Sequence, residues 1–334
     1  MQHQFTRRRF MATTGLGGLA LANMAAGQND TSGVLRFGVI ADPHRDIMHD
    51  SMERLSAFVE AVKRDAPDFV IQMGDFCQPM PGNDEFLALW DECPCPRYHV
   101  IGNHEGDGDG KYRTGGAYAY RTEEIVEYFG MPGPYYSFDV RGTHCIVLDG
   151  NNPGPGQKPY YRYIGDEQLE WLEADLASTT LPTIVFSHQP LERSDGVENH
   201  EAVRAVLEAA KPKVLACFGG HRHLDYHRVI SGILYAMLNS MSNQWLGGDY
   251  LHVRYSDEVD EQYPYIKYTA PFRDPLWAFV TTDLGAGTLV IEGRDSEWVG
   301  PSPAELGHNS GDESAPRITS KELSFKPRNS GDGA

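Results

Sequence analysis

Five short clusters of potential metal ligands punctuate the sequence: Asp42-Pro43-His44, Gly74-Asp75, Gly102-Asn103-His104-Glu105, His188, and Gly219-Gly220-His221-Arg222-His223. Carboxylate, carboxamide and imidazole donors with no thiolate among them suit Mn²⁺, Fe or Zn²⁺ in a reactive centre, and argue against a structural zinc site. Asp-x-His and His-x-His set two donors two residues apart, a spacing that in extended backbone points both side chains the same way. The glycines before Asp75, Asn103 and His221 let the chain turn sharply and approach an ion closely. Taken singly these clusters are weak, because a Gly-Asp pair is ordinarily a turn and a strand-terminal histidine ordinarily structural. Their order along one chain, each behind an apolar run, is the informative feature.

Those runs are the elements that must position the donors. Val34 to Ala41, Asp68 to Met73, Tyr98 to Ile101, Thr183 to Ser187 and Val214 to Phe218 are short and apolar, and they alternate with helical patterns, which predicts a layered α/β domain. One helical face is Met52, Leu55, Val59 and Val62, closed by Pro67. A second is Leu169, Leu172 and Leu176 behind a candidate N-cap at Asp166, and a third is Val203, Val206, Leu207 and Ala210. Tyr135 to Val140 and Thr143 to Leu148 predict a hairpin around Arg141-Gly142. Ile230 to Leu238 reads as a further strand, and Leu276 to Thr282 with Thr288 to Glu292 as a hairpin around Gly285 and Gly287. In an α/β sheet the carboxyl ends of strands open on one crevice, so donors just beyond five strands can meet in a single site.

At this point the chain resembles the calcineurin-like metallophosphoesterase superfamily, whose five ordered blocks are Asp-x-His, Gly-Asp, Gly-Asn-His-Glu/Asp, a single His and Gly-His-x-His. The match spans residues 34–240 and is complete at every block. The resemblance implies an α/β fold with a two-sheet β-sandwich flanked by helices and a two-metal centre at the strand carboxyl ends. It implies that Asp42, His44 and His223 hold one divalent ion, that Asn103, His188 and His221 hold the other, and that Asp75 bridges both. His104 then stands outside the ligand set as the candidate general acid, since a histidine beside the metals can titrate near neutrality; a ligand role is the alternative. Two ions about 3.5–4 Å apart deprotonate a shared water and orient a phosphate, so the expected nucleophile is a bridging hydroxide. Only two of the seven donors are anionic, which leaves the centre cationic and attractive to a phosphate.

The chain departs from two branches of that superfamily. Purple acid phosphatases carry a tyrosine three residues after the bridging Asp, where this chain has Gln78, and serine/threonine protein phosphatases carry further acid and arginine signals where it reads Phe76-Cys77-Gln78-Pro79. Arg45 and Arg222 adjoin expected ligands and are candidates to clamp a phosphate oxygen, although strand alternation would equally turn them away. Asp46, Asp225 and His227 are candidates to orient ligand histidines or else are solvated. Cys77 is either a packed small hydrophobe or an oxidation-sensitive neighbour of Asp75. The glycine-rich loop from Glu105 to Tyr120, and Tyr255, Tyr263, Tyr265 and Tyr268, either form an aromatic rim for the substrate or pack internally.

Composition bounds the partners. The formal charge of -18 over 334 residues excludes the basic face that polyanion binding needs, so no nucleic-acid partner is expected. Thr6-Arg7-Arg8-Arg9-Phe10-Met11, followed by the glycine-diluted apolar run from Gly15 to Ala26, resembles a twin-arginine export signal over residues 1–27. The run is too short to anchor the chain in a membrane. Removing its three arginines would take the charge from -18 to -21. The expected partners are therefore the twin-arginine export machinery and a small phosphate ester, and the expected location is periplasmic or secreted. The five cysteines are expected to stay thiols after folding in a reducing compartment. The phosphoesterase domain is expected over residues 34–300, with a motif core at 34–240, a strand extension at 241–300, and a flexible tail at 301–334 poor in apolar periodicity.

These features predict an exported dinuclear-metal hydrolase of a small soluble phosphomonoester. The alternatives are a phosphodiesterase or pyrophosphatase acting on a nucleotide-like compound, and a metal-binding scaffold without turnover.

Overall fold

The computed structural model describes residues 33–107, 120–155 and 161–325. The expected export signal, residues 108–119 of the glycine-rich loop and the last nine residues lie outside the described residues.

Two six-stranded sheets form the core. The first contains β1 (Val34–Ile40), β2 (Phe69–Gln72), β3 (Arg97–His99), β12 (Ala278–Asp283), β13 (Thr288–Glu292) and β14 (Lys321–Ser324), in the order β14-β13-β12-β1-β2-β3. The second contains β4 (Tyr136–Val140), β5 (Thr143–Leu148), β6 (Thr183–Ser187), β7 (Val214–Gly219), β8 (Tyr226–Ile230) and β9 (Ile233–Met237), in the order β4-β5-β6-β7-β9-β8. A short ladder joins β10 (Asn243–Trp245) to β11 (Thr269–Pro271). The strands that end in ligand motifs are the parallel runs of the sheets, β1-β2-β3, which ends at the edge strand β3, and β6-β7. Parallel register brings their carboxyl ends to the same edge.

The sheets pack face to face through aromatic side chains. Phe37 of β1 meets Phe186 of β6 and Phe218 of β7 edge-on, with ring centroids 5.5 and 5.6 Å apart, and stacks on Phe69 of β2 at 5.0 Å. Edge-to-face and offset stacking at these separations add to the hydrophobic gain of burying the rings. Helix α1 (Ser51–Asp65) covers the outer face of the first sheet through Leu55, Phe58, Val59 and Val62, all fully buried, and ends before Pro67 with Ala66 in the left-handed region. α2 (Asp84–Trp90) adds Phe86 and Trp90 to the same core. The short α3 (His104–Asp107) begins at the expected general acid, and α4 (Thr122–Phe129) follows. The second sheet is covered by α5 (Asp166–Ser178) and α6 (His200–Ala209), which bury Leu172, Leu176, Val203 and Leu207 against Val185 and Tyr235. α7 (Asp257–Gln262) lies in the segment after β10. Asp166 is the first residue of α5 and Gly165 takes the cap position, so the expected cap is displaced by one residue.

Residues 301–325 are not a flexible tail. β14 pairs with β13 from Thr288↔Ser324 to Ile291↔Lys321, and Ile318 is 2% exposed. Asn239 donates to the carbonyls of Ala315 and Arg317, and the Asp225 carboxylate takes the Thr319 N–H and the Lys321 ammonium at 2.9 and 3.0 Å. Apolar periodicity misses such a segment because its backbone donors are satisfied by an existing sheet edge and a few side-chain anchors. All five cysteines are thiols.

Candidate metal centre

Five of the seven expected ligands sit in the left-handed region, not on extended backbone. Asp42, His44, Asp75, His221 and His223 have φ of 50°, 54°, 52°, 67° and 51°, so the two-residue spacing in Asp-x-His and His-x-His is realised by paired left-handed residues. Asp and His tolerate this region better than most residues, yet each costs roughly 1–2 kcal/mol. Backbone bonds between the loops offset that strain. His44 N–H donates to the Asp75 carbonyl at 2.9 Å and Asp42 N–H to that of Gly74 at 3.2 Å. The Asp42 carboxylate takes the His221 N–H at 3.0 Å. A Cβ at Gly102 would lie 2.3 Å from the Asp75 nitrogen, and one at Gly220 would lie 2.5 Å from Asp42 Oδ2, so the close approach of these loops requires glycine at both positions.

All seven expected ligand residues converge, and their donor atoms face one another. His188 Nδ1 donates to the Met73 carbonyl at 2.7 Å and His223 Nδ1 to that of Asn243 at 2.6 Å, which turns each Nε2 toward the centre of the site. There His188 Nε2 lies 3.2 Å from Asn103 Oδ1 and 3.3 Å from Asp75 Oδ2. His223 Nε2 lies 3.1 Å from His44 Nε2 and 3.4 Å from Asp42 Oδ1. His221 Nδ1 is 3.2 Å from His188 Nε2. Asp75 Oδ2 stands between the two groups, 3.8 Å from His44 Nε2 and 3.3 Å from His188 Nε2. Carboxylates and ring nitrogens buried this close together demand positive charge among them, from a cation or from a proton. Asp42, His44 and His223 form one such set, and Asp75, His188 and His221 another, each with donor atoms within 4.8 Å of one another. The same demand for positive charge acts on His188. Burial opposes protonation there, but the Asp75 carboxylate outweighs it and pushes the ring up to about 9. The donor set fits two divalent ions.

Asp46 is the carboxylate beside the expected general acid. Its Oδ2 lies 2.7 Å from His104 Nδ1 and its Oδ1 lies 3.4 Å from His44 Nδ1. Burial would raise its pKa, but the charges and hydrogen bonds of His104 and His44 hold it below the usual carboxylate range. The His104 backbone N–H donates to Asp75 Oδ1 at 2.9 Å. Glu105, fully buried, accepts the backbone N–H groups of Asp75, Phe76 and Gly102 at 3.1, 2.6 and 2.8 Å. Burial and the Asp75 charge push its carboxyl up to about 8, against those three bonds, which favour the ionised form. Ser240 and Ser242 donate to the carbonyls of Asp42 and Pro43 at 2.7 and 2.9 Å. Hydroxyls that satisfy loop carbonyls leave no periodic signal in sequence, so these two positions were not foreseen.

The centre forms the floor of a cavity of about 740 Å³. Arg222 lines it, half-exposed and 3.5 Å from Asp195. Arg45 does not line it, because its guanidinium donates to Ser51 Oγ and to the Tyr263 hydroxyl at 3.2 and 3.1 Å. Asp225 binds the C-terminal segment and no ligand histidine, while His227 lies exposed on β8. Burial pushes the Cys77 thiol well up, as for a packed small hydrophobe. Gln78 is buried, and its carbonyl accepts from Asn83. Tyr255, Tyr263 and Tyr265 pack on Ile47, Met48 and Ile266. Tyr268 instead supports Trp245, which lines the cavity together with Arg162 and His308. Sequence reasoning passed over these last three because no spacing rule links them.

The family described as calcineurin-like phosphoesterase matches residues 35–225. A probable cyclic nucleotide phosphodiesterase from Synechococcus sp. is 29% identical over 177 residues, covering 46% of this chain and 61% of that protein. Purple acid phosphatase 22 of Arabidopsis thaliana is 26% identical over 184 residues, covering 52% of this chain and 38% of its own length. The chain thus spans less than two thirds of either relative. Among solved structures, a dimetal phosphatase from Danio rerio superposes with a TM-score of 0.52 at 17% identity, covering 79% of this chain and 98% of that one, which shows a shared fold.

Proposed function

This chain belongs to the calcineurin-like phosphoesterase family, and we propose that it is an exported hydrolase of a small soluble phosphomonoester that works with two divalent metal ions. The observation that carries the reading is that His188 and His223, each fixed through Nδ1 by the Met73 and Asn243 carbonyls, turn Nε2 inward onto the carboxylates and the other expected donors. Asp42, His44 and His223 would hold one ion, and Asn103, His188 and His221 the other, with Asp75 shared. Bound there, the ions would supply an activated water and neutralise phosphate charge.

The protein's own groups do the rest. Asp46 orients His104 through Nδ1, so that Nε2 holds the proton the departing oxygen takes up. Asp75 is pinned twice, through its N–H by Glu105 and through its Oδ1 by the His104 N–H. The glycines at 102 and 220 let the loops close around the donors. A second reading, phosphodiester hydrolysis, is favoured by the similarity to the Synechococcus protein.

The test is metal analysis together with hydrolysis of p-nitrophenyl phosphate and its bis ester, with chelation and metal add-back. About two metals per chain, with turnover lost on chelation and regained on add-back, is expected, and the preferred ester chooses between the two readings. Absence of metal would overturn the site. Two metals with no turnover on either ester would overturn the hydrolase. Export by the twin-arginine route rests on Arg7, Arg8 and Arg9 before an apolar run, and no helix among the described residues is long and apolar enough to cross a membrane. N-terminal sequencing of exported protein is expected to begin near residue 28, and an intact N-terminus would refute the signal.

A further inference from the structure

The cavity above the metal centre holds about 740 Å³, several times what a phosphoryl group fills, so its outer wall faces the rest of the substrate. Trp245 stands on that wall at 43% exposure, the one aromatic among the exposed large hydrophobic side chains of the described residues. It closes β10, where Gln244 also lines the cavity but is buried, so the indole is the exposed side chain this strand presents there. Keeping an indole half in water forgoes hydrophobic stabilisation of about 25 cal/mol for each Å² left uncovered, and a large apolar face inside a polar cavity marks a ligand contact. The ring is held in advance: Tyr268 stacks behind it at 6.0 Å and 21°. His308, which the C-terminal segment brings to the same cavity, is likewise fixed, edge-on to Tyr250 at 4.7 Å and bonded to Ser310. Preset rings lose little entropy on binding, which favours stacking on another flat ring.

The charges of the wall narrow the class. Its two guanidiniums each face a carboxylate, Arg222 with Asp195 at 3.5 Å and Arg162 with Glu198 at 3.9 Å. Asp195 is also gripped by Arg193. Arg162 is thus compensated, whereas Arg222 shares Asp195 with Arg193 and keeps part of its charge, so the wall disfavours a cationic ring and suits an uncharged one.

We propose that the phosphate ester hydrolysed here carries a neutral, planar aromatic leaving group, which stacks on Trp245 and His308 while the phosphate lies on the metal-binding floor. Nucleosides and phenols share this chemistry. The inference deepens the hydrolase reading and rests on it.

The test compares kcat/KM for adenosine monophosphate, phenyl phosphate and glycerol 3-phosphate in the metal-loaded wild type, Trp245→Ala and Trp245→Phe, together with equilibrium dialysis of adenosine. The expected result is a wild-type preference of tenfold or more for at least one ring-bearing ester over glycerol 3-phosphate. Trp245→Ala should cut that ratio about tenfold, mainly through KM, and Trp245→Phe should restore most of it. A change confined to the adenosine ester assigns a nucleoside, and an equal change in both ring-bearing esters assigns the ring alone; either result supports stacking. An unchanged ratio in Trp245→Ala, or a wild type that prefers glycerol 3-phosphate, overturns it. Inhibition by inorganic phosphate reports the floor separately. Should no ester be turned over, the hydrolase reading fails by itself, and adenosine dialysis still decides the stacking site: binding to wild type that is lost in Trp245→Ala supports it, and no binding overturns it.

Discussion

The loops that carry Asp42, Asp75, Asn103, His188 and His221 are tied to one another by main-chain bonds, as in His44 N–H to the Asp75 carbonyl and Gly220 N–H to that of His188. The wall that carries Arg162, Trp245 and His308 is assembled from three segments far apart in sequence, each held by side chains: Arg162 on the Gly196 carbonyl, Trp245 on Tyr268, His308 on Tyr250. On the floor, backbone strain and buried charge leave little freedom, because altering one donor disturbs the loops packed against it. On the wall, a side chain can be exchanged while the loops beneath stay in place. On the proposed reading, the floor would govern metal and chemistry, and the wall which ester is accepted.

The harshest way to test this division is Asp75→Asn, which keeps the shape of the side chain and removes the charge shared by both metal sets. Metal content is expected to fall from about two per chain to one or fewer, and kcat/KM by about 10⁴-fold, ~5.5 kcal/mol of transition-state stabilisation. Atomic absorption and turnover of the purified variant check both. Full retention of two metals would show that Asp75 is not shared.

Next in size is His104→Ala, which is expected to keep both metals and lower kcat by about 10²- to 10³-fold. The loss should be greater for an alkyl phosphate than for p-nitrophenyl phosphate, whose departing phenolate hardly needs a proton. Equal losses for the two leaving groups would remove His104 from the role of acid, and metal loss as complete as in Asp75→Asn would make it a ligand.

The floor was legible in sequence because each of its donors closes an apolar run, and the runs at Thr183 to Ser187 and Val214 to Phe218 match β6 and β7 to within one residue. The local backbone was not legible. A two-residue spacing is compatible with extended and with left-handed geometry, and only the packing of Gly74, Gly102 and Gly220 against neighbouring loops selects the second. The orienting carboxylate was harder to place, because Asp46 follows His44 by two residues yet binds His104, 58 positions away. Arg45 looked like a phosphate clamp from its neighbours in sequence, whereas Ser51 and Tyr263 turn it away. The wall left no trace at all, since three residues that share a cavity through tertiary packing have no common spacing.

Acid offers a milder probe of what supports the floor. His99 lies beneath it, buried, with Nδ1 3.1 Å from Gln72 Nε2, and Gln72 in turn accepts the Gly74 N–H at 2.6 Å. Burial, aided by the nearby Arg97 charge, lowers its pKa to about 3, against about 6.5 for an exposed histidine. Between those values the unfolded chain binds the proton and the folded chain does not, so this residue makes stability fall as the pH drops from about 6.5 toward 3. The slope is at most about 1.4 kcal/mol per pH unit. Urea melts at pH 7, 6 and 5 are expected to show this loss in the wild type and a flatter dependence in His99→Gln; parallel slopes would show that His99 is not the group responsible.

The smallest expected effect separates wall from floor most cleanly. Lys321 and the Thr319 N–H fasten the C-terminal segment to Asp225, two residues beyond His223. Lys321→Met keeps the aliphatic stem and removes the ion pair, at a cost of about 1 kcal/mol because the pair is largely enclosed, with side-chain exposures of 12% and 5%. If the segment serves the floor, loosening it should shift His223 and lower metal affinity. If it serves the wall through His308, metal affinity should hold while KM for a ring-bearing ester rises two- to fivefold and KM for glycerol 3-phosphate moves less. The main-chain bonds of the ligand loops are independent of this ion pair, so the second outcome is expected, with metal titration and the two KM values as the measurements that decide.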